Sequence, residues 1–438
     1  MMRRGGVCVN SSAIAALSAL IVFLVAVVVQ SDSLVHVQPG NGSIPELLES
    51  FSESLLEDQA ETALGALSPA ADVTFRRYLN STIESLTGSH TGRLELSSLA
   101  MRLSASSASM VGAKIDESAS ARAKAAGCAD LRRALVSISY SLGGGSVPGL
   151  AEQPVVVDRI FDFTKCGSGW SVADVQRRAQ DPALPWEIPF VRAEDVVTHR
   201  GVSTVLRYAG SEATAGRIVA NLPAAIDDVA DFWGGRGAIA AVCVVVTETL
   251  SQMNALVPSW RAGIQPSAVS TGLMVGRHFL NQRLIFAPGA ASLSDGSLQA
   301  LLRHELTHIA VAAKTNPTSP IWVREGIAEY VGRRGTFEAL SEVAPQLMSE
   351  VASGAVPRSL PSDEDFIRSG PDALLAYQKS WSFMVYVARA FGSEKLKQLF
   401  DAINIQGSLN IDGSFRRVLG VGERTILRQW SKWLLAAR

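Results

Sequence analysis

The chain has 438 residues, 47% of them hydrophobic and 18% charged, enough for a sizeable core and for two or three domains. Its 40 basic residues face 41 acidic ones, so no basic excess marks nucleic acid as a main partner.

The N-terminal "MMRRGG" precedes an uncharged run, "AIAALSALIVFLVAVVV", from Ala13 to Val29. Its length is at the short end of what crosses a bilayer. Arg3 and Arg4 lie before it and no basic residue follows until Arg76. The charge bias therefore predicts a cytoplasmic N-terminus over 1–12, a transmembrane signal anchor over 13–30 and an exported remainder, in a single-pass protein of the cell membrane. A cleaved signal peptide is the competing reading, though "VVVQSDS" makes a poor cleavage site. Cys8 lies on the cytoplasmic side. Cys128 and Cys166 sit in polar surroundings and could pair in an oxidising compartment. Cys243, inside "AIAAVCVVVT", reads as a buried free thiol, and none of the four has metal-site spacing.

Residues 31–45 read as a linker rich in Pro, Gly and Ser. From Pro45 to about Leu142 the apolar spacing is helical in "ELLESFSESLLEDQAETALGAL" and "FRRYLNSTIESL". The Ser/Ala-rich "LSASSASMVGAKIDESASARAKAAG" is helix or flexible chain. After the break "GGGSVPG", the runs "PVVVDRIFDFTKC" and "WSVADVQRRA" form a hairpin, giving a small α+β module over 46–190. The Pro-rich "DPALPWEIPF" at its end reads as a linker. The region 191–438 opens with a hairpin, "VVTHRGVSTVLRYAG", then a helix, "ATAGRIVANLPAAIDDVADFWG". Two strands, "GAIAAVCVVVTE" and "RLIFAPGA", follow, and the remainder is helical. Strands first and helices after predict an α+β fold.

The chemistry concentrates in "LLRHELTHIAVAAKTNPTSPIWVREGIAEYVG", Leu301 to Gly332. On a helix capped at Ser294, Asp295 or Ser297, His304 and His308 share one face and can aim both imidazoles at one ion. Glu305 lies about 100° round from His304, within reach of a water on that ion. A catalytic zinc site needs a third protein ligand and an open fourth position. Glu325 is the best candidate, once the prolines of Thr315–Pro320 turn the chain back into a second helix starting near Trp322. Glu329, one turn further on, is placed to accept a hydrogen bond from a ligand histidine, His304 above all, and fix its tautomer. Hydrogen-bonded core histidines are the alternative. His278 reads as a surface or packing histidine, Arg324 as a surface charge, and His36, His90 and His199 carry no spacing signal.

"HELTH" followed by "EGIAEY" resembles the gluzincin zinc metallopeptidases, and most of all the peptidase-MA-like domains of exported bacterial proteins. The likeness covers about Val196 to Arg438 and is specific only in these motifs and a downstream Tyr segment. It implies a thermolysin-like domain with a small sheet and a mostly helical C-terminal part. It also implies one Zn2+ per chain on His304, His308 and Glu325, Glu305 as general base and Glu329 as acidic support. In "AYQKSWSF", Tyr377 stands where related aminopeptidases carry a tyrosine that stabilises the oxyanion; a packing tyrosine is the alternative. The Gly-x-Met-Glu-Asn motif that holds a free amino terminus is absent, with "HFLNQRLIFAPGA" in its place, so the resemblance favours an endopeptidase acting on a peptide or protein. "RLIFAP" would still offer an edge strand to an extended substrate. The Ala-, Val-, Arg- and Gly-rich composition suggests a high-GC bacterium such as an actinobacterium. A catalytically silent gluzincin-fold binding or scaffold protein of the cell envelope is the rival function.

Overall fold

Apolar and hydroxyl residues alternate in "VSISYS", from Val136 to Ser141, and a period of two belongs to a strand with one buried face. The computed structural model describes residues 42–87, 92–105, 115–142, 154–234, 239, 241–257, 267–275, 278–316, 318–337, 339–368 and 370–437, and that alternation is a strand in it. The N-terminal module runs α1 (Ile44–Leu56), α2 (Ala60–Gly65), α3 (Val73–Leu86), β1 (Ser98–Leu103), α4 (Glu117–Ala125), β2 (Asp130–Ser141), β3 (Val155–Cys166) and β4 (Gly169–Gln176). Ser43 and Glu46 close a capping box on α1, and the Asp72 carboxylate accepts from Phe75 N to cap α3. The four strands form an antiparallel sheet in chain order. Val136, Ile138, Tyr140, Phe161 and Phe163 point from it into a core shared with Leu48 and Phe51 of α1 and Phe75 and Leu79 of α3. A disulfide between Cys128 and Cys166 ties the start of β2 to the end of β3, next to the paired residues Asp130 and Lys165.

Two expectations for this region need correction. The helical stretch ends at Leu86; β1, α4 and β2 come after it, because burying one face of "VSISYS" against α1 and α3 requires a strand. The segment Asp181–Phe190 is a buried joint rather than a linker. Leu184, Trp186 and Ile188 are in the core, Trp186 meets the Tyr140 ring edge-on at 4.8 Å, and Glu187 takes Arg159 through two hydrogen bonds of 2.6 and 2.9 Å.

The second sheet has five strands: β5 (Arg192–Thr198), β6 (Gly201–Arg207), β7 (Cys243–Val246), β8 (Ala268–Val275) and β9 (His278–Phe286), in the order β5-β6-β7-β9-β8. Strands β6, β7 and β9 are parallel and both edges antiparallel. The edge beside the helical layer is β8, so "RLIFAP" lies in the interior strand β9 and cannot serve as a free edge. Helices α5 (Glu212–Trp233) and α6 (Leu250–Leu256) follow β6 and β7. Alternate residues serve two cores. Val205, Val244, Val246, Leu284 and Phe286 face α5, whereas Leu206, Cys243, Val245 and Ile285 face α6 and the N-terminal module. A sheet covered on both faces needs continuous apolar strands, which is why "VCVVVT" shows no alternation.

The C-terminal layer is α7 (Asp295–Val311), α8 (Ile321–Gly332), α9 (Leu340–Val343), α10 (Pro345–Ala352), α11 (Asp363–Ile367), α12 (Pro371–Phe391), α13 (Ser393–Gln406), α14 (Ile411–Leu419) and α15 (Glu423–Ala436). The protein is thus α+β with two sheets. No helix among the described residues is long and apolar enough to cross a membrane. The expected anchor over 13–30 lies outside the described residues, as do Cys8, His36 and His90. The single-pass arrangement and the cell-membrane location argued from it are therefore not supported.

Candidate metal centre

Helix α7 begins at Ser294, whose hydroxyl accepts from Ser297 N, and from Leu298 to Val311 it is buried on nearly every side. The chain then leaves α7 through the Asn316–Ser319 turn, where Asn316 N and the Ser319 hydroxyl both donate to the Asn404 side chain. It returns as α8, whose first amide, Ile321 N, donates to Asp363. Two glycines let α8 come close to its neighbours. A Cβ on Gly326 would meet Ser380 and Met384 of α12 at 3.1 Å, and one on Gly332 would meet the Ala300 carbonyl of α7 at 2.6 Å.

This packing brings His304, His308 and Glu325 into one buried group that could hold a metal ion. Nε2 of His304 lies 3.1 Å from Nε2 of His308, and Glu325 Oε2 lies 3.5 and 3.7 Å from the two nitrogens. A point about 2.1 Å from all three atoms exists just outside their plane, which matches zinc's bond lengths to nitrogen and oxygen. The orphaned atoms agree. Among the described residues, Glu325 Oε2 and both oxygens of Glu305 are buried without a hydrogen bond of ordinary geometry, an arrangement that proteins rarely leave unexplained. The donor set, two imidazoles and a carboxylate with a free carboxylate beside them, suits zinc or a related divalent ion.

The charges follow from burial and proximity. Burial pushes the His304 imidazole down, but the Glu325 and Glu329 carboxylates outweigh it and hold its pKa up at about 10. Burial, the His304 charge and Arg324 push His308 well below the ordinary histidine value. Burial raises the Glu325 carboxyl above its ordinary value, with His304 and Arg324 partly offsetting it. Burial and the neighbouring Glu325 and Glu329 raise Glu305 to about 7, with His304 and the Ser270 hydroxyl of β8 partly offsetting them. Glu329 resists burial because Arg333, at 2.6 Å, and His304 hold its carboxyl far below the usual range.

Glu329 Oε1 stands 3.4 Å from His304 Nδ1, on the ring atom opposite the one aimed at Glu325. Tyr377, on α12, packs edge-on against Phe366, and burial together with Glu325, Glu329 and Glu305 keeps its phenol protonated far above the ordinary tyrosine value. Arg324 corrects its expected role. It is half-buried, with its pKa lowered by burial, and its charge is felt by Glu325, Asp363, Tyr377 and His308. His199 lies elsewhere, paired with Asp227 at 2.7 Å on the surface. The side chain of His278 lies outside the described part of the structure. Sequence reasoning missed Ser270 and Arg333. Ser270 sits on a strand remote in sequence and left no signal, whereas Arg333, four residues after Glu329, left a readable helical spacing. No protein-family model matches the chain, and no curated protein matches it.

Proposed function

We propose that the protein is a zinc-dependent metallopeptidase, an endopeptidase that hydrolyses peptide bonds. One observation carries this reading: a buried His304–His308–Glu325 group has beside it, on the same turn of α7, the Glu305 carboxylate, neither of whose oxygens makes a hydrogen bond of ordinary geometry among the described residues. A closed structural site has no use for such a base. When bound, zinc supplies Lewis-acid activation of water and of the scissile carbonyl. Glu305 takes the proton of the attacking water and passes it to the leaving amine. The Tyr377 hydroxyl, kept protonated, donates to the carbonyl oxygen as negative charge grows there. The test is Glu305→Gln. The variant should take up zinc like the wild type and cleave no member of a peptide library analysed by mass spectrometry. Cleavage at the wild-type rate would sink the assignment.

A second reading is favoured by one observation. Each of His304, Glu305, His308, Glu325, Glu329 and Tyr377 is at most 8% exposed. A peptide needs this site to open. Stoichiometric zinc uptake with no cleavage in any library would make the protein a silent metal-binding scaffold.

A further inference from the structure

We propose that Arg333 is a positioning residue for the metal centre, holding His304 in ligand geometry through Glu329; this rests on the metallopeptidase reading above. Glu329 and Arg333 are one turn apart on α8, and Arg333 Nε donates to Glu329 Oε2 at 2.6 Å. The other oxygen of the same carboxylate, Oε1, is the one 3.4 Å from His304 Nδ1. The carboxylate is therefore held from both sides, and the guanidinium sets the plane in which it meets the imidazole. Nδ1 makes no hydrogen bond of ordinary geometry among the described residues, so the ionic contact with Glu329 is what faces it. With Nδ1 turned to Glu329, Nε2 is left facing His308 and Glu325.

The reach of Arg333 is fixed by the backbone. It follows Gly332, which seats α8 directly on the Ala300 carbonyl and on His304 Cβ. The guanidinium, carboxylate and imidazole side chains are 14%, 7% and 3% exposed, so bulk water competes little for their contacts. Arg303, one residue from His304, serves a different purpose: it donates to Asp228 and to the Arg334 carbonyl. Supports of this kind typically change metal affinity 10–100-fold.

The experiment is zinc affinity of the full chain, measured by chelator competition, in wild type, Arg333→Ala, Arg333→Lys, Glu329→Gln and the Glu329→Gln/Arg333→Ala double variant. Arg333→Ala should weaken zinc binding by about 10–100-fold. Arg333→Lys, which keeps the charge and a donor, should recover much of the loss. The double variant should bind no more weakly than Glu329→Gln alone, because both substitutions break one relay. Circular dichroism melts of the metal-free variants separate misfolding from loss of positioning. Wild-type affinity in Arg333→Ala, or a loss that adds in full to that of Glu329→Gln, would overturn the proposal. A wild type that takes up no zinc would overturn the metal-site reading and this proposal with it.

Discussion

A methyl group on Gly332 would lie 2.6 Å from the carbonyl oxygen of Ala300 and 3.3 Å from the Cβ of His304. Helix α8 thus rests on the backbone of α7 just where the first histidine leaves it, and that crossing sets the reach of Glu325 and Glu329. Gly332→Ala should cost about 1–3 kcal/mol by overpacking. It should also weaken zinc binding, because the helices must part. Gly65→Ala, at a helical position with nothing within 4 Å, is the control and should stay within about 1 kcal/mol of wild type. Thermal melts with zinc titrations check both. Equal stability and affinity in Gly332→Ala would show that the close approach does not govern the site.

Metal loading should appear as stability. A ligand that binds only the folded chain stabilises it by about 2.7 kcal/mol when present at 100 times its Kd. Zinc should therefore raise the melting temperature of wild type, and chelation should reverse the rise. His308→Ala and Glu325→Ala each remove a member of the buried group, so their melting curves should not respond to zinc. A full zinc response in either variant would place the ion elsewhere.

Tyr377→Phe keeps the ring that meets Phe366 at 5.1 Å and removes only the hydroxyl. Stability and zinc affinity should hardly change. Turnover on any peptide that the wild type cleaves should fall by about 10²–10³, the usual effect of deleting one oxyanion donor. The loss belongs in kcat, since the interaction forms as charge develops. An unchanged kcat would return Tyr377 to a packing role.

The grouping of the candidate metal ligands was legible because helical spacing is local. His304 and His308 at four residues, and Glu325 and Glu329 at four more, define faces before any tertiary contact is known. What was illegible depends on packing between distant segments. Gly326 and Gly332 look like ordinary helix-weakening glycines until α12 and α7 are placed against them. Trp186 sits among prolines and reads as linker, yet Tyr140, 46 positions earlier, buries it. Strand β2 was legible in principle from "VSISYS", but the apolar spacing of the preceding helices masked the change of period. Arg324 read as a surface charge because nothing in the local sequence reveals Asp363 or Tyr377 beside it.

The joint at Trp186 carries the last prediction. Arg159 is buried in the module and makes two hydrogen bonds to Glu187 and one each to the carbonyls of Pro182 and Asp158. Glu187 in turn accepts from Leu184 N, so one carboxylate both closes the turn and neutralises the cation. Arg159→Met would leave that carboxylate buried without its partner, at a cost of about 3–5 kcal/mol. Arg159→Met/Glu187→Gln removes the stranded charge and should recover part of the loss. Urea denaturation measures both. This joint packs against the module-facing side of the five-stranded sheet, whereas α7 packs against the opposite side. Zinc affinity of the folded variants should therefore match wild type, since the disturbed contacts and the helix that carries the candidate ligands belong to different cores. A variant as stable as wild type would mean that the ion pair contributes nothing net. A stable variant with weakened zinc binding would instead show that the sheet transmits strain from the module to α7.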